Sequence, residues 1–309
     1  MKSIFNDPRW KKPTIVGIGL WLAMASDCFA QQSTPSSSTI NVVTNERDGA
    51  VLTRLQTAYR KQSRELRFVL AEDNSTVLKV EPKPVFTWTS LGGWSGDVFV
   101  WTGKGRIQMV GCIGSHHVNE STFEFFQEFH SLADASLNEV QLNDAVTWKI
   151  SDDTGVAHLI PGAPQPAANA TLRMVQMRSL ARSFKLGMQV TTEAVEQELR
   201  MLSQPLARVS DAAESGDVID GTLFTFVSSA GTDPEAFLLI EARKSAGRLA
   251  WTYMVARFTT REIWMSRGGH EVWRAPAIEF TNPGSQIKDA YFYRPTFTAT
   301  LDEIGAPVK

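Results

Sequence analysis

The stretch KPVFTWTSLGGWSGDVFVWTGKGRIQMVGCIGSHHVNESTFEFFQEFHS, residues 83–131, decides the reading of this chain. Val85, Phe86 and Trp88 have the aromatic and β-branched character of a strand, and residues 98–101 (Val, Phe, Val, Trp) repeat it. Gly103, Lys104 and Gly105 then form a hairpin signal, with residues 106–113 as the return strand. Ser121 and Glu124 match a capping box, and Phe125 and Phe129 recur at helical spacing, so a short helix is expected over 122–129. The glycines do not form a phosphate loop. The Gly-x-x-x-x-Gly-Lys-Ser/Thr pattern is absent, and no helical pattern follows to hold a phosphate.

Composition sets wider limits. With 309 residues and 43% hydrophobic content, the chain can bury a large core in one domain or two. Lys2, Arg9, Lys11 and Lys12 precede an apolar run over 14–25, and Cys28, Phe29 and Ala30 resemble a signal-peptidase site. Residues 1–30 therefore read as a signal peptide, with a periplasmic or secreted mature protein. The apolar run is too short for an ordinary membrane span, so no stable span is expected after cleavage. That segment removes four basic and two acidic residues from totals of 31 and 33, leaving 27 against 31. No basic excess remains to neutralise phosphates, and nucleic acid is not an expected partner. Cys112 would be the one cysteine left, in the apolar context Met-Val-Gly-Cys-Ile-Gly, and it reads as a buried small hydrophobe.

Outward from the central stretch, residues 31–47 are rich in Ser, Thr and Gln and read as a flexible leader. A helix is expected from Asp48 to about Glu65, with Leu52, Leu55 and Tyr59 on one face. Residues 67–71 and 76–80 read as strands, as do 140–142 and 146–150. The run Pro-Gly-Ala-Pro-Gln-Pro-Ala-Ala-Asn-Ala at 161–170 marks a Pro/Ala linker between an N-terminal α+β unit, 48–160, and a C-terminal one, 171–309. A helix capped by Thr171 and ended by Gly187 carries Met174, Met177, Leu180 and Ala181 on one face. Arg173, Arg178, Arg182 and Lys185 form a basic face open to solvent or to an anionic partner. Thr192 is expected to cap a further helix, stopped by Pro205. Strands follow at 222–227, 236–241, 249–258, 262–265 and 271–273, spaced as an antiparallel meander, and from Pro295 the pattern is lost in a loosely held tail. The fold class is α+β, with antiparallel sheet and helices packed on one face. The strand–turn–strand units opening at Gly96 and Gly221 echo each other, which two related halves would explain as well as chance would.

Chemistry-bearing residues gather in the same central stretch. His116, His117, Glu128 and His130 are the candidate catalytic group of a hydrolase. In a strand the adjacent histidines would face opposite ways; in a loop they could converge. A metal could assist through a histidine and a carboxylate, yet no His-Glu-x-x-His spacing occurs, and neither a metal ligand set nor a cofactor is assigned. Cys112 with a neighbouring histidine has the parts of a thiol nucleophile, but apolar flanks do not lower a thiol pKa. Trp94, Trp101 and Arg106 are the candidate ligand-binding residues, because rings on a sheet can line a groove as readily as fill a core. Two function classes follow: a protein that binds a small ligand or protein partner or serves a structural role, and a periplasmic hydrolase.

The runs at 96–102, 128–132, 161–164 and 173–178 (Gly-Asp-Val-Phe-Val-Trp-Thr, Glu-Phe-His-Ser-Leu, Pro-Gly-Ala-Pro, Arg-Met-Val-Gln-Met-Arg) resemble a family of uncharacterised exported proteins of planctomycete bacteria. The resemblance covers most of the chain after residue 30. It implies one shared architecture and contributes no catalytic residue, since no activity is assigned to that family.

Overall fold

The structure is a computed structural model that describes residues 38–72, 74–90, 93–134, 136–138, 140–143, 146–150, 156–190, 196–210, 217–229, 231–245, 247–278 and 290–304. The expected signal peptide, 1–30, lies outside them. Helix α1 spans Ser38–Glu65, starting ten residues before the expected Asp48. After it come β1 (Lys79–Val80), β2 (Phe86–Ser90), β3 (Trp94–Gly103), β4 (Arg106–His117), β5 (Thr122–Ser131), β6 (Val140–Asn143), β7 (Val146–Trp148) and β8 (His158–Leu159). Helix α2 (Ala170–Ala181) leads to β9 (Phe184–Gln189), β10 (Glu196–Met201), β11 (Ala207–Ser210), β12 (Val218–Val227), β13 (Pro234–Ser245) and β14 (Arg248–Arg257). The last strands are β15 (Ile263–Arg267), β16 (His270–Ala275) and β17 (Tyr291–Thr300).

Two antiparallel sheets carry the α+β fold. The first runs β1-β3-β4-β5-β17, with β2 also on β3. The second runs β16-β15-β9-β10-β12-β13-β14-β8, with β11 also on β12. Alternation along the strands produces three apolar layers. Phe99, Trp101, Met109 and Phe129 face α1, meeting Leu55 and Tyr59. The opposite face of that sheet, with Val98, Val100, Val110 and Cys112, packs on Leu223, Phe237, Leu239 and Met254 of the second sheet. Phe224, Phe226, Leu238 and Ile240 then meet Met177 and Leu180 of α2 on the far side. The order is helix, sheet, sheet, helix. Two strands cross the 161–170 run: β8 pairs with β14 and β17 pairs with β5.

Local chemistry explains the main turns. Lys104 (φ 49°) and Gly105 (φ 69°) both take the left-handed region, as a tight β3–β4 hairpin requires. Gly111 has a different reason. A Cβ there would lie 2.3 Å from Phe129 Cδ1, so its missing side chain is what lets that ring lie across the sheet.

Several expectations are overturned. Residues 122–129 are not helical: β5 pairs along both edges, with β4 and with β17. The apparent capping box is a turn in which Asn119 Oδ1 accepts from the backbone N–H of Ser121 and Thr122. The helix expected after Thr192 is strand β10 where described, because residues 196–199 pair with β9 and residues 200–201 pair with β12. Helix α2 is capped by Asn169, whose side chain accepts from Thr171 and Leu172 N–H, and it ends at Ala181, well before Gly187. Its basic face is not solvated throughout. Arg173 is buried and donates to Asp220 at 2.8 Å. The tail expected from Pro295 is strand β17 as far as Thr300, its register shifted between Pro295 and Thr298.

Candidate functional site

The layer between the sheets is apolar in the middle and charged at both ends. Strand β13 supplies a carboxylate at each end, Glu235 and Glu241, with Phe237 and Leu239 between them on the inward face.

At the Glu241 end, charge is matched. Arg106 reaches across from β4 and donates through Nε and Nη2 to the two Glu241 oxygens, each at 3.0 Å. Its Nη1 bonds Asp134 at 2.5 Å, and Arg243 donates to Glu241 at 2.8 Å. The Arg106 and Glu241 side chains are 7% and 2% exposed, so this is a buried cross-sheet clamp. Arg106, a candidate ligand residue by sequence, has its guanidinium committed to that clamp.

The other end is acidic. Glu128, on β5, sits cross-strand from Cys112 on one side and Tyr293 on the other. Tyr291 Oη donates to Glu128 Oε1 at 2.6 Å. Facing them from the second sheet are Asp233, just before β13, and Glu235, in its first turn of alternation; all three acids are partly exposed. Burial pushes the Glu128 carboxyl up to about 8, and the charge of Glu235 adds to this, against the pull of Tyr291 and Arg257. Burial likewise raises Glu235 to about 7, opposed by Arg261 and Thr259. Asp233 is held well above its ordinary range by burial and by both neighbouring acids. The charge of Arg257 pulls the Glu128 carboxyl down without cancelling the upward shift. Its guanidinium donates to the carbonyls of Thr259, Arg261 and Pro276 and lies 5.4 Å over the Tyr291 ring.

An aromatic row leads away from Glu128 along the same face. Tyr293 lies 5.8 Å from Phe126, and Phe126 lies 5.6 Å from Trp94. Trp94 stacks on His116 at 4.1 Å and 13°. Tyr293, Trp94 and His116 are partly exposed, and His116 Nε2 lies 3.5 Å from Glu124. Nearby, Thr232 Oγ1 donates to Thr89 O of β2, whose Ser90 pairs with Trp94.

The sequence candidates thus separate. Glu128, His116, His130 and Trp94 share the inward face of the first sheet. His130 is buried there, with Nδ1 2.8 Å from the Ser131 carbonyl. His116 stands four residues along β4 from the cross-strand partner of Glu128, about 13 Å away by strand rise. His117 points to the opposite face, against Phe123 and beside Gly93. Trp101 is fully buried in the core beneath α1, edge-on to Phe68. Cys112 is buried, and burial pushes its thiol well up. Asp233 and Glu235 escaped the sequence reading; the signal available was two acids flanking Pro234 at a strand start.

Among the described residues, no group of three or more His, Cys, Asp or Glu is placed to hold a metal ion. No described helix is long and apolar enough to cross a membrane. No family model, curated protein or solved structure matches the chain.

Proposed function

We propose that this protein binds a small uncharged ligand bearing hydroxyl groups at the rim formed by Trp94, Tyr293, Glu128 and Glu235. The observation that carries the reading is the partly exposed aromatic row ending on carboxyl groups. Flat rings offer apolar faces to the C–H side of such a ligand. A carboxyl that keeps its proton near neutrality both donates and accepts hydrogen bonds, where an ionised one only accepts. Recognition therefore falls to hydroxyl groups rather than to anions. The proposal places the protein outside the cytoplasm, with its mature N-terminus near Gln31; N-terminal sequencing of the exported form tests that part.

The ligand test is a calorimetric and tryptophan-fluorescence titration with a panel of neutral mono- and disaccharides. Binding by at least one of them, weakened about tenfold or more by Trp94→Ala, is the expected result, since burying a large apolar side chain is worth on the order of 1.5–3 kcal/mol and about 1.4 kcal/mol is tenfold. Absence of binding across the panel, or equal binding by the variant, overturns the reading.

One observation favours a second reading, a hydrolase. Glu128 and Glu235 titrate in the neutral range, where a carboxyl can serve as general acid or base. Of the histidines, only His116 and His130 remain on that face, and the acids rather than the histidines would carry the proton transfer. Turnover of an aryl glycoside or ester that Glu128→Gln and Glu235→Gln both abolish would replace the binding reading with this one.

A further inference from the structure

The two ends of the sandwich are built on opposite principles. At one, Arg106 and Arg243 match Glu241 and Asp134, and the sheets are tied by direct ion pairs. At the other, Glu128 of the first sheet faces Asp233 and Glu235 of the second. Among the described residues, the contacts that hold the gap closed there include the Arg257–Tyr291 contact, the 6.5 Å Phe258–Tyr291 ring contact, the Thr232–Thr89 hydrogen bond and the packing of Phe126 and Tyr293 with Phe237 and Phe258. We propose that this end is a proton-controlled gate: the sheets close on each other while Glu128, Asp233 and Glu235 keep their protons, and part when the protons leave.

The geometry supplies the mechanism. Like charges appear on facing elements, so ionisation repels one sheet end from the other. Opening also returns the carboxylates to water, which removes the burial cost of their charge. Every element around Glu128 bears on the balance. Strand β4 contributes Cys112, β5 contributes His130 and Glu124, and β17 contributes Tyr291 and Tyr293. The β12–β13 turn contributes Asp233 and Glu235, and the end of β14 with the link beyond it contributes Arg257 and Arg261. Tyr291 strengthens its hold on Glu128 when that group ionises, so β17 stays with β5. The part that moves is residues 231–235, the described residues that lead into and start β13. Arg261, which acts on Asp233 and Glu235, travels with the same sheet and limits their mutual repulsion without bridging to Glu128. The clamp at Arg106 lacks this unbalanced charge and serves as the fixed end.

The gate does not depend on the ligand reading and is tested on the protein alone. Amide hydrogen exchange is followed between about pH 6 and about pH 9, corrected for intrinsic exchange, in the wild type and in Glu128→Gln/Glu235→Gln. Protection at the start of β13 should fall about tenfold or more in the wild type, one pKa unit being a tenfold change in the open fraction, and change about twofold or less around Arg106. The double variant should lose the pH dependence. A uniform fall at both ends, no fall, or the same fall in a folded double variant overturns the gate. Should the variant fail to fold, the wild-type contrast between the two ends decides alone. Cys112 provides a second reading, because it lies in the inter-sheet layer beside Glu128. Its burial at pH 9, read by alkylation against a denatured control at the same pH, should be lower than at pH 6; equal shielding counts against the gate.

Discussion

Replacing Arg106 by Met is the sharpest test of how the sheets are held. The side chain keeps much of its length but loses two 3.0 Å bonds to Glu241 and the bond to Asp134. Removing one partner of a buried ion pair costs about 3–5 kcal/mol, because the other charge stays in a poor solvent. Here Arg243 still donates to Glu241 at 2.8 Å, so the low end, about 3 kcal/mol, is expected. For a chain of this size that corresponds to a fall in Tm of roughly 5 °C. The assay is urea unfolding with the slope held constant, backed by calorimetry. Arg106→Met/Glu241→Leu should recover most of the loss, since an apolar pair of similar volume carries no desolvation cost. A single variant within about 1 kcal/mol of wild type, or a double variant no better than the single, refutes the clamp. The same variant separates two roles for Arg106, because a clamp residue changes stability and leaves the remote Trp94 surface intact.

Stability should depend on pH in a definite direction. Glu128 is raised from 4.5 to about 8 in the folded state, so the folded protein binds more protons across that window. The contribution is therefore full below 4.5 and is lost as pH rises towards about 8; Tm should drop over this range, and Glu128→Gln should flatten the drop, with a steeper or unchanged slope refuting it. Gly111→Ala should destabilise by about 1–3 kcal/mol or more, because the new methyl meets the Phe129 ring and the Trp101 edge; a neutral result in urea unfolding would mean the sheet yields there. Near neutral pH, Cys112 should react slowly with a thiol reagent in the native state and readily after unfolding, since it is 1% exposed; fast native labelling would place it in a site.

Much of the architecture was readable from residue order. The apolar run at 98–101 identified a strand from its residue types; that Val98 and Val100 pack between the sheets while Phe99 and Trp101 face α1 is seen only in the structure. The hairpin at Lys104–Gly105 followed from backbone freedom alone. Helix α2 was legible from its Met and Leu spacing, though not its cap or its length. By contrast, 122–131 carries both a helical repeat of phenylalanines and a capping pair. What made it a strand is β17, which arrives from the far end of the chain to complete its hydrogen bonding.

The candidate site divides in the same way. Residue order identified the α+β class, the core role of Cys112, and Glu128 with Trp94 as residues of interest. It could not bring Asp233 and Glu235 to Glu128, nor separate His117 from His116 by any signal stronger than strand alternation. Those relations depend on which face of one sheet stacks on which face of the other. A carboxyl is an ordinary surface acid until a second sheet covers it and sets like charges before it, and that covering is made by long-range pairing that local sequence does not encode.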